Sequence, residues 1–375
     1  MKKIMTMVLA LVMLCACFAP ALAENDVTVG IIGPLTGAYA IYGTAGVNGA
    51  KIAAEELNAI GPFNFIIGER DDQGDGTMGV NGYNSLLDDG AKVILGCVTS
   101  GSCISVADVA YEDRVFMLTP TASNDMVIEG NDNVFQVCFT DSAQGSASAT
   151  YIAENMPEAK VGIIYNNALD YSIGIRTTFK STADALGVEI VAESAFSDDN
   201  AADFSVQIAE MKNAGADLVF LPIYYTPASK ILIQANAVEY APTFFGVDGM
   251  DGILALEGFD TTLAEGVMLL SPFSADAEDE ATQSFVAKYV ELYGETPNQF
   301  AADYYDGMYA LYNAMINSGI TAETSVEDAC EMFIAAFQEL TITGVTGQMK
   351  WDESGAVTKT PMAVVIKDGA YVLAK

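Results

Sequence analysis

The chain has 375 residues, room for two domains at about 100–200 residues each, and its charge is lopsided: 16 Lys and Arg against 50 Asp and Glu, a formal net charge of −34. That balance excludes the basic face that nucleic acid or an anionic membrane surface requires. The absence of histidine removes the usual general base, the Ser-His-Asp and Cys-His arrangements, and the commonest metal ligand.

The N-terminus opens with Lys2 and Lys3, an uncharged run Ile4–Phe18, Pro20 and Ala21-Leu22-Ala23. A basic start, a short apolar core and an A-x-A site predict a signal peptide over 1–23, too short to span a bilayer. Leu14-Cys15-Ala16-Cys17 also fits a lipoprotein processing box with Cys17 lipidated. Either reading exports the protein, to the periplasm or to a lipid anchor outside the cytoplasmic membrane. Cleavage after Ala23 leaves 14 basic against 50 acidic residues. Cys97, Cys103, Cys138 and Cys330 then remain; export permits their oxidation, but the sequence does not choose a pairing. Buried thiols or a local bridge between Cys97 and Cys103 are the plain readings.

Short, near-continuously apolar runs follow at 27–32, 63–70, 92–98, 115–120, 134–139, 160–165, 188–193, 217–224, 243–248 and 266–273. Such runs predict strands buried on both faces. Helix-like segments separate them, among them 45–59, where Val47, Ala50, Ala54 and Leu57 share one face, and 172–187. Strand–helix alternation predicts parallel sheets with right-handed crossovers. The rhythm runs twice, with the polar TDSAQGSAS (140–148) between the series reading as a linker. The expected fold is α/β: two doubly wound Rossmann-like lobes joined by a hinge. Lobe 1 is expected over 24–141 plus about 274–345, and lobe 2 over 142–273 plus about 346–375. Two more helical regions follow Phe273, and Lys367-Asp368-Gly369 predicts a closing hairpin over 362–374.

Several motifs carry potential chemistry. Gly74-Asp75-Gly76-Thr77-Met78-Gly79 spells G-x-G-x-x-G, but it follows the second strand of its lobe, and Asp71, Asp72 and Asp75 would repel a pyrophosphate; it reads as a helix entry. The same acids lack the Glu that closes a calcium loop, since the twelfth position from Asp71 is Gly82. Ser100, Ser102 and Ser123 sit at strand ends, yet no Lys lies near them in sequence to serve as base. A hydrolase is therefore disfavoured.

A ligand cradle remains. Thr99-Ser100-Gly101-Ser102 and Thr121-Ala122-Ser123 end successive strands just before helix starts, where amides and the helix dipole favour a carboxylate without formal positive charge. Taken singly, such residues serve equally as N-caps and turn formers. In lobe 2 the strand ends deliver Tyr224-Tyr225-Thr226 and Asp248-Gly249; a carboxylate there pairs with an ammonium, or is a solvated turn residue. Together the two sets fit an α-amino acid.

These residues carry a resemblance. The segments 29–59, RDDQGD (70–75), ILGCVTSGS (94–102), FMLTPTASND (116–125), 203–225 and FFGVDGMD (244–251) make the chain similar to the leucine/isoleucine/valine-binding protein family. Its members are extracytoplasmic, substrate-binding components of ABC importers with the type I periplasmic-binding-protein fold. The resemblance implies that Ser100 binds the ligand carboxylate, that Thr121 and Ser123 touch carboxylate and amine, and that Tyr224 contacts the ligand. It implies that Asp248 binds the ammonium, that Tyr42 and Phe300 line the side-chain pocket, and that Tyr171 faces the cleft. The implied partners are a free amino acid (leucine, isoleucine or valine first) and an ABC permease with its ATPase. A monomer without enzymatic activity, cofactor or metal is expected. An aromatic amino acid, a small amide or urea is the alternative ligand, and a signalling system the alternative partner. Two departures stand out: the family's bridge between the loops near Gly74 and Thr99 is absent, and Asp248 is one methylene shorter than the family's usual Glu.

Overall fold

A computed structural model describes residues 25–374; the expected signal peptide and Cys17 lie outside the described residues. The first series forms β1 (Asp26–Gly33), α1 (Ala40–Ile60), β2 (Asn64–Asp71), α2 (Gly76–Asp88), β3 (Ala91–Gly96), α3 (Ser100–Glu112), β4 (Met117–Thr119) and β5 (Val134–Gln136). The strands make one parallel sheet in the order β2-β1-β3-β4-β5. The second series is α4 (Asp141–Asn155), β6 (Lys160–Asn166), α5 (Asp170–Leu186), β7 (Glu189–Phe196), α6 (Ser205–Ala214), β8 (Leu218–Leu221), α7 (Tyr225–Ala237), β9 (Thr243–Gly246) and β10 (Met268–Ser271). Its parallel strands repeat the order, β7-β6-β8-β9-β10. All ten expected strands are therefore present, and both sheets carry a switch point where neighbouring crossovers leave in opposite directions, between β1 and β3 and between β6 and β8.

The chain then returns to the first lobe as α8 (Glu280–Tyr293), α9 (Gln299–Ser318) and α10 (Val326–Glu339), and adds a small sheet of β11 (Thr341–Gly344), β12 (Gly347–Trp351) and β13 (Val357–Thr358). The hairpin β14 (Met362–Lys367) and β15 (Ala370–Leu373) closes the second sheet antiparallel to β10. Asp368 and Gly369 hold positive φ (52° and 75°), as a two-residue type I′ turn requires.

Packing explains the long helix α1. Its buried face runs from Tyr42 through Val47, Ile52 and Leu57, each worth about 1.5–3 kcal/mol when fully buried. Gly46 and Gly49 let it approach α9: a Cβ on Gly49 would stand 2.0 Å from the Ala301 carbonyl oxygen.

Two sequence expectations need correction. The stretch 140–148 is not a linker but the start of α4, capped by Thr140 Oγ1 accepting from the Ala143 amide at 3.2 Å. The return to lobe 2 comes later than about 346. Trp351 Nε1 donates to the Gln136 carbonyl at 2.7 Å, and the Gln136 amide to the Gly355 carbonyl at 2.9 Å, so the small sheet of β11–β13 packs on the first lobe. All four described cysteines are buried free thiols. Among the described residues no helix is long and apolar enough to cross a membrane.

Candidate functional site

A small cavity lies between the lobes, at the carboxyl ends of the strands beside both switch points. Seven of the eight expected residues line it: Tyr42, Ser100, Thr121, Tyr171, Tyr224, Asp248 and Phe300; Val98, Thr99 and Gly249 complete the wall. The room inside is about 10 Å3, enough for about one water. The lobes are closed on each other.

The first lobe supplies donors. Thr99 stands at the N-cap of α3, where the first-turn amides have no acceptor within the helix. Its hydroxyl is buried without a protein partner. Ser100 Oγ accepts the Asn124 amide at 3.2 Å, which places its own proton for another acceptor, and Thr121 Oγ1 donates to the Val98 carbonyl at 3.1 Å. Ser123 is buried but is not on the cavity wall; its carbonyl accepts the Asp141 amide at 2.7 Å. The turn after β4 aims Thr121 at the cleft and carries Ser123 toward α4 instead.

The second lobe supplies a carboxylate and rings. Tyr171 Oη donates to Asp248 Oδ1 at 2.6 Å, and the Gly249 amide donates to the same oxygen at 2.7 Å. The Asp248 amide donates to Gln144 Oε1 at 3.3 Å. Burial pushes the Asp248 carboxyl up to about 6, against hydrogen bonds that pull it down. Burial likewise holds the Tyr42, Tyr171 and Tyr224 phenols well above their ordinary value, so all three are neutral donors. Tyr171 stacks on Tyr224 with centroids 4.6 Å apart, and Tyr42 on Phe300 at 4.0 Å.

Contacts across the cleft hold the closed form. Tyr42 Oη donates to the Gly249 carbonyl and accepts the Tyr225 amide at 3.3 Å. Asn124 Nδ2 donates to the Asp170 carbonyl at 3.0 Å, and Gln299 Nε2 to the Asp248 carbonyl at 2.6 Å. Sequence reasoning placed Thr99 in the hydroxyl-rich cradle without a role of its own, and missed Asn124, Gln144 and Gln299. Chemically the cavity offers hydroxyl and amide donors on one wall, one buried carboxylate on the other, and aromatic rings between. No basic residue lines it.

The family model described as "Periplasmic binding protein" matches residues 26–369. The chain is similar to Leu/Ile/Val-binding protein homolog 3 of Brucella melitensis, 30% identical over 348 residues, which are 90% of each chain. Among solved structures it is similar to the leucine binding protein LivK of Thermotoga maritima (TM-score 0.84, 25% identity, 93% of this chain and 98% of that one). It is also similar to the branched-chain amino acid transporter substrate binding protein LivJ of Streptococcus pneumoniae, solved with isoleucine (TM-score 0.83, 26% identity, 92% and 97%). The duplicated switch-point fold, the interlobe cavity and these matches make the chain a member of the periplasmic binding protein family, within its leucine/isoleucine/valine-binding group.

Proposed function

We propose that this protein is the extracytoplasmic binding component of an ABC importer and that it closes its lobes around one α-amino acid with a branched apolar side chain. The carrying observation is the pairing of opposite walls: uncharged donors at the start of α3 face the Tyr171–Asp248 pair across the cleft. The ligand carboxylate is assigned to the Ser100 hydroxyl and the first-turn amides of α3, where the helix dipole favours an anion; Thr121 lines the same wall with its hydroxyl proton held by the Val98 carbonyl. Its ammonium is assigned to Asp248. Tyr171 and Gly249 both donate to Oδ1, so the ammonium is expected at Oδ2. Tyr42, Tyr224 and Phe300 would surround the side chain.

Binding then proceeds by hinge opening, entry and closure, after which both lobes present one surface to a membrane permease. No enzymatic step is assigned: Ser100 Oγ accepts a backbone amide, and the lining holds no Lys or Arg to act as base. The narrowness of the closed cavity is the observation that favours a second reading, a smaller ligand such as a short amide.

The test is a thermal-shift and calorimetry panel of leucine, isoleucine, valine, phenylalanine, alanine, acetamide and urea. A branched-chain ligand at 100 times its Kd should add about 2.7 kcal/mol of stability. If only acetamide or urea shifts the melt, the second reading replaces the first. If nothing does, neither stands.

A further inference from the structure

A second and much larger cavity, of about 740 Å3, opens between the lobes on the other side of the same walls. Its size is in the usual range for small-molecule sites, about 300–1,000 Å3. Lobe 1 contributes the first turns of α1 and residues 295–298; lobe 2 contributes residues 251–255, β10 and the β14–β15 hairpin; the chain crossing at 273–276 closes it. Ile41, Leu254, Leu269, Phe273 and Val286 make much of the wall apolar. The charges on it are all negative: Asp251, Asp276 and Glu295, with no Lys or Arg. Asp251 is buried, its carboxylate accepting the Gly252 amide at Oδ1 and the Gln299 amide at Oδ2, both at 2.8 Å, while Asp276 and Glu295 are exposed. Burial pushes the Asp251 carboxyl up to about 6; a cation nearby would favour its charged form.

The two cavities are back to back. On α1, Ile41 lines the large one and Tyr42 the small one. After β9, Asp251 lines the large one and Asp248 the small one. At the start of α9, Asn298 lines the large one and Phe300 the small one. Gln299 between them ties the sets together, its amide to Asp251 and its side chain to the Asp248 carbonyl. Each cavity takes walls from both lobes, so both depend on the same closed arrangement.

We propose that the large cavity is a second, modulatory site for an apolar cation, a primary amine on an aliphatic body, and that its occupation favours the closed form. Acidic groups without a basic counterpart exclude a carboxylate ligand by repulsion, and the apolar wall excludes a bare ion. Two ligands that select one closed state must tighten each other's binding reciprocally.

The probe is hexylamine, with hexanoate and 1-hexanol as matched controls, on the full chain. Hexylamine should raise the melting temperature without any amino acid present, which tests this site independently of the proposed function. It should also tighten binding of the amino acid found in the panel by about 5-fold or more, the lower end of usual coupling. Thr44→Trp, which fills the large cavity from an exposed position on α1, should abolish both effects of hexylamine. Asp276→Asn with Glu295→Gln should weaken the response to hexylamine without disturbing the buried wall. The proposal is overturned if hexylamine has no effect, if hexanol or hexanoate acts equally, if hexylamine competes with the amino acid, or if the effects survive Thr44→Trp.

Discussion

Replacing Asp248 by Asn separates binding from folding. The carboxylate is almost fully buried, and its Oδ1 takes two hydrogen bonds, from Tyr171 and the Gly249 amide. Asn keeps the size and one carbonyl acceptor for those donors but removes the charge an ammonium would pair with. Truncating one partner of a buried hydrogen-bonded charge pair costs about 2–5 kcal/mol; a value of about 3 kcal/mol weakens Kd roughly 150-fold. Stability should move the other way. Burial raises this carboxyl from 3.8 to about 6. A raised acid contributes stability that is full below the unfolded value and lost as pH rises through the folded one. At pH 7 the ionised ligand-free side chain therefore costs on the order of 3 kcal/mol, and Asn relieves part of that cost. Isothermal titration calorimetry with the best amino acid, beside a ligand-free melt, reads both quantities. A lowered affinity with a held or raised melting temperature is expected. An unchanged Kd would refute the ammonium assignment, and a collapsed melt would show the side chain to be structural.

Three further outcomes are expected. Affinity for the amino acid should fall roughly tenfold per pH unit below about 6, because Asp248 must lose its proton to pair with an ammonium; a flat profile from pH 7 to 4.5, measured by calorimetry, would contradict this. Tyr42→Phe removes the hydroxyl that joins the Gly249 carbonyl and the Tyr225 amide across the cleft, so binding should weaken by about 1–3 kcal/mol, and small-angle scattering should show a more open chain. Gly49→Ala would ordinarily favour a helix by about 1 kcal/mol, yet its Cβ would meet the Ala301 carbonyl oxygen at 2.0 Å. The melting temperature should drop, and a rise would contradict the tight α1–α9 contact.

The fold was legible because fully buried parallel strands are near-continuously apolar, and ten such runs are hard to miss. The start of α4 was not legible for the opposite reason. Asp141, Gln144 and Ser148 are buried polar residues, so the helix turns small and polar side chains inward and shows no apolar stripe. The late crossing failed for want of length: β12 and β13 have five and two residues, and their attachment rests on Trp351 and Gly355 reaching Gln136. Within the site, the strand-end hydroxyls and Asp248 were legible by position at the switch points. Ser123 is buried behind the wall and does not line the cavity, because a turn of three residues cannot aim every side chain into the cleft. Gln144 and Gln299 carry no local signal, since each acts only on a strand end far away in sequence.

The net charge and the proposed ligand belong together. An acidic protein draws an ammonium by its overall field and repels a carboxylate, so the carboxylate end must be won locally. In the proposed binding mode the start of α3 does this with first-turn amides and hydroxyls, which add no charge of their own. The ammonium end carries the opposite difficulty: one buried carboxylate must stay ionised without a basic partner. Tyr171 and Gly249 hold Asp248 ready but leave it near 6, so burying the ionised carboxylate alone carries an electrostatic cost that a paired ammonium would relieve. A neutral amide relieves none of it. The response of the chain to pH with and without ligand therefore distinguishes an amino-acid receptor from an amide receptor, even though both would share every lining residue.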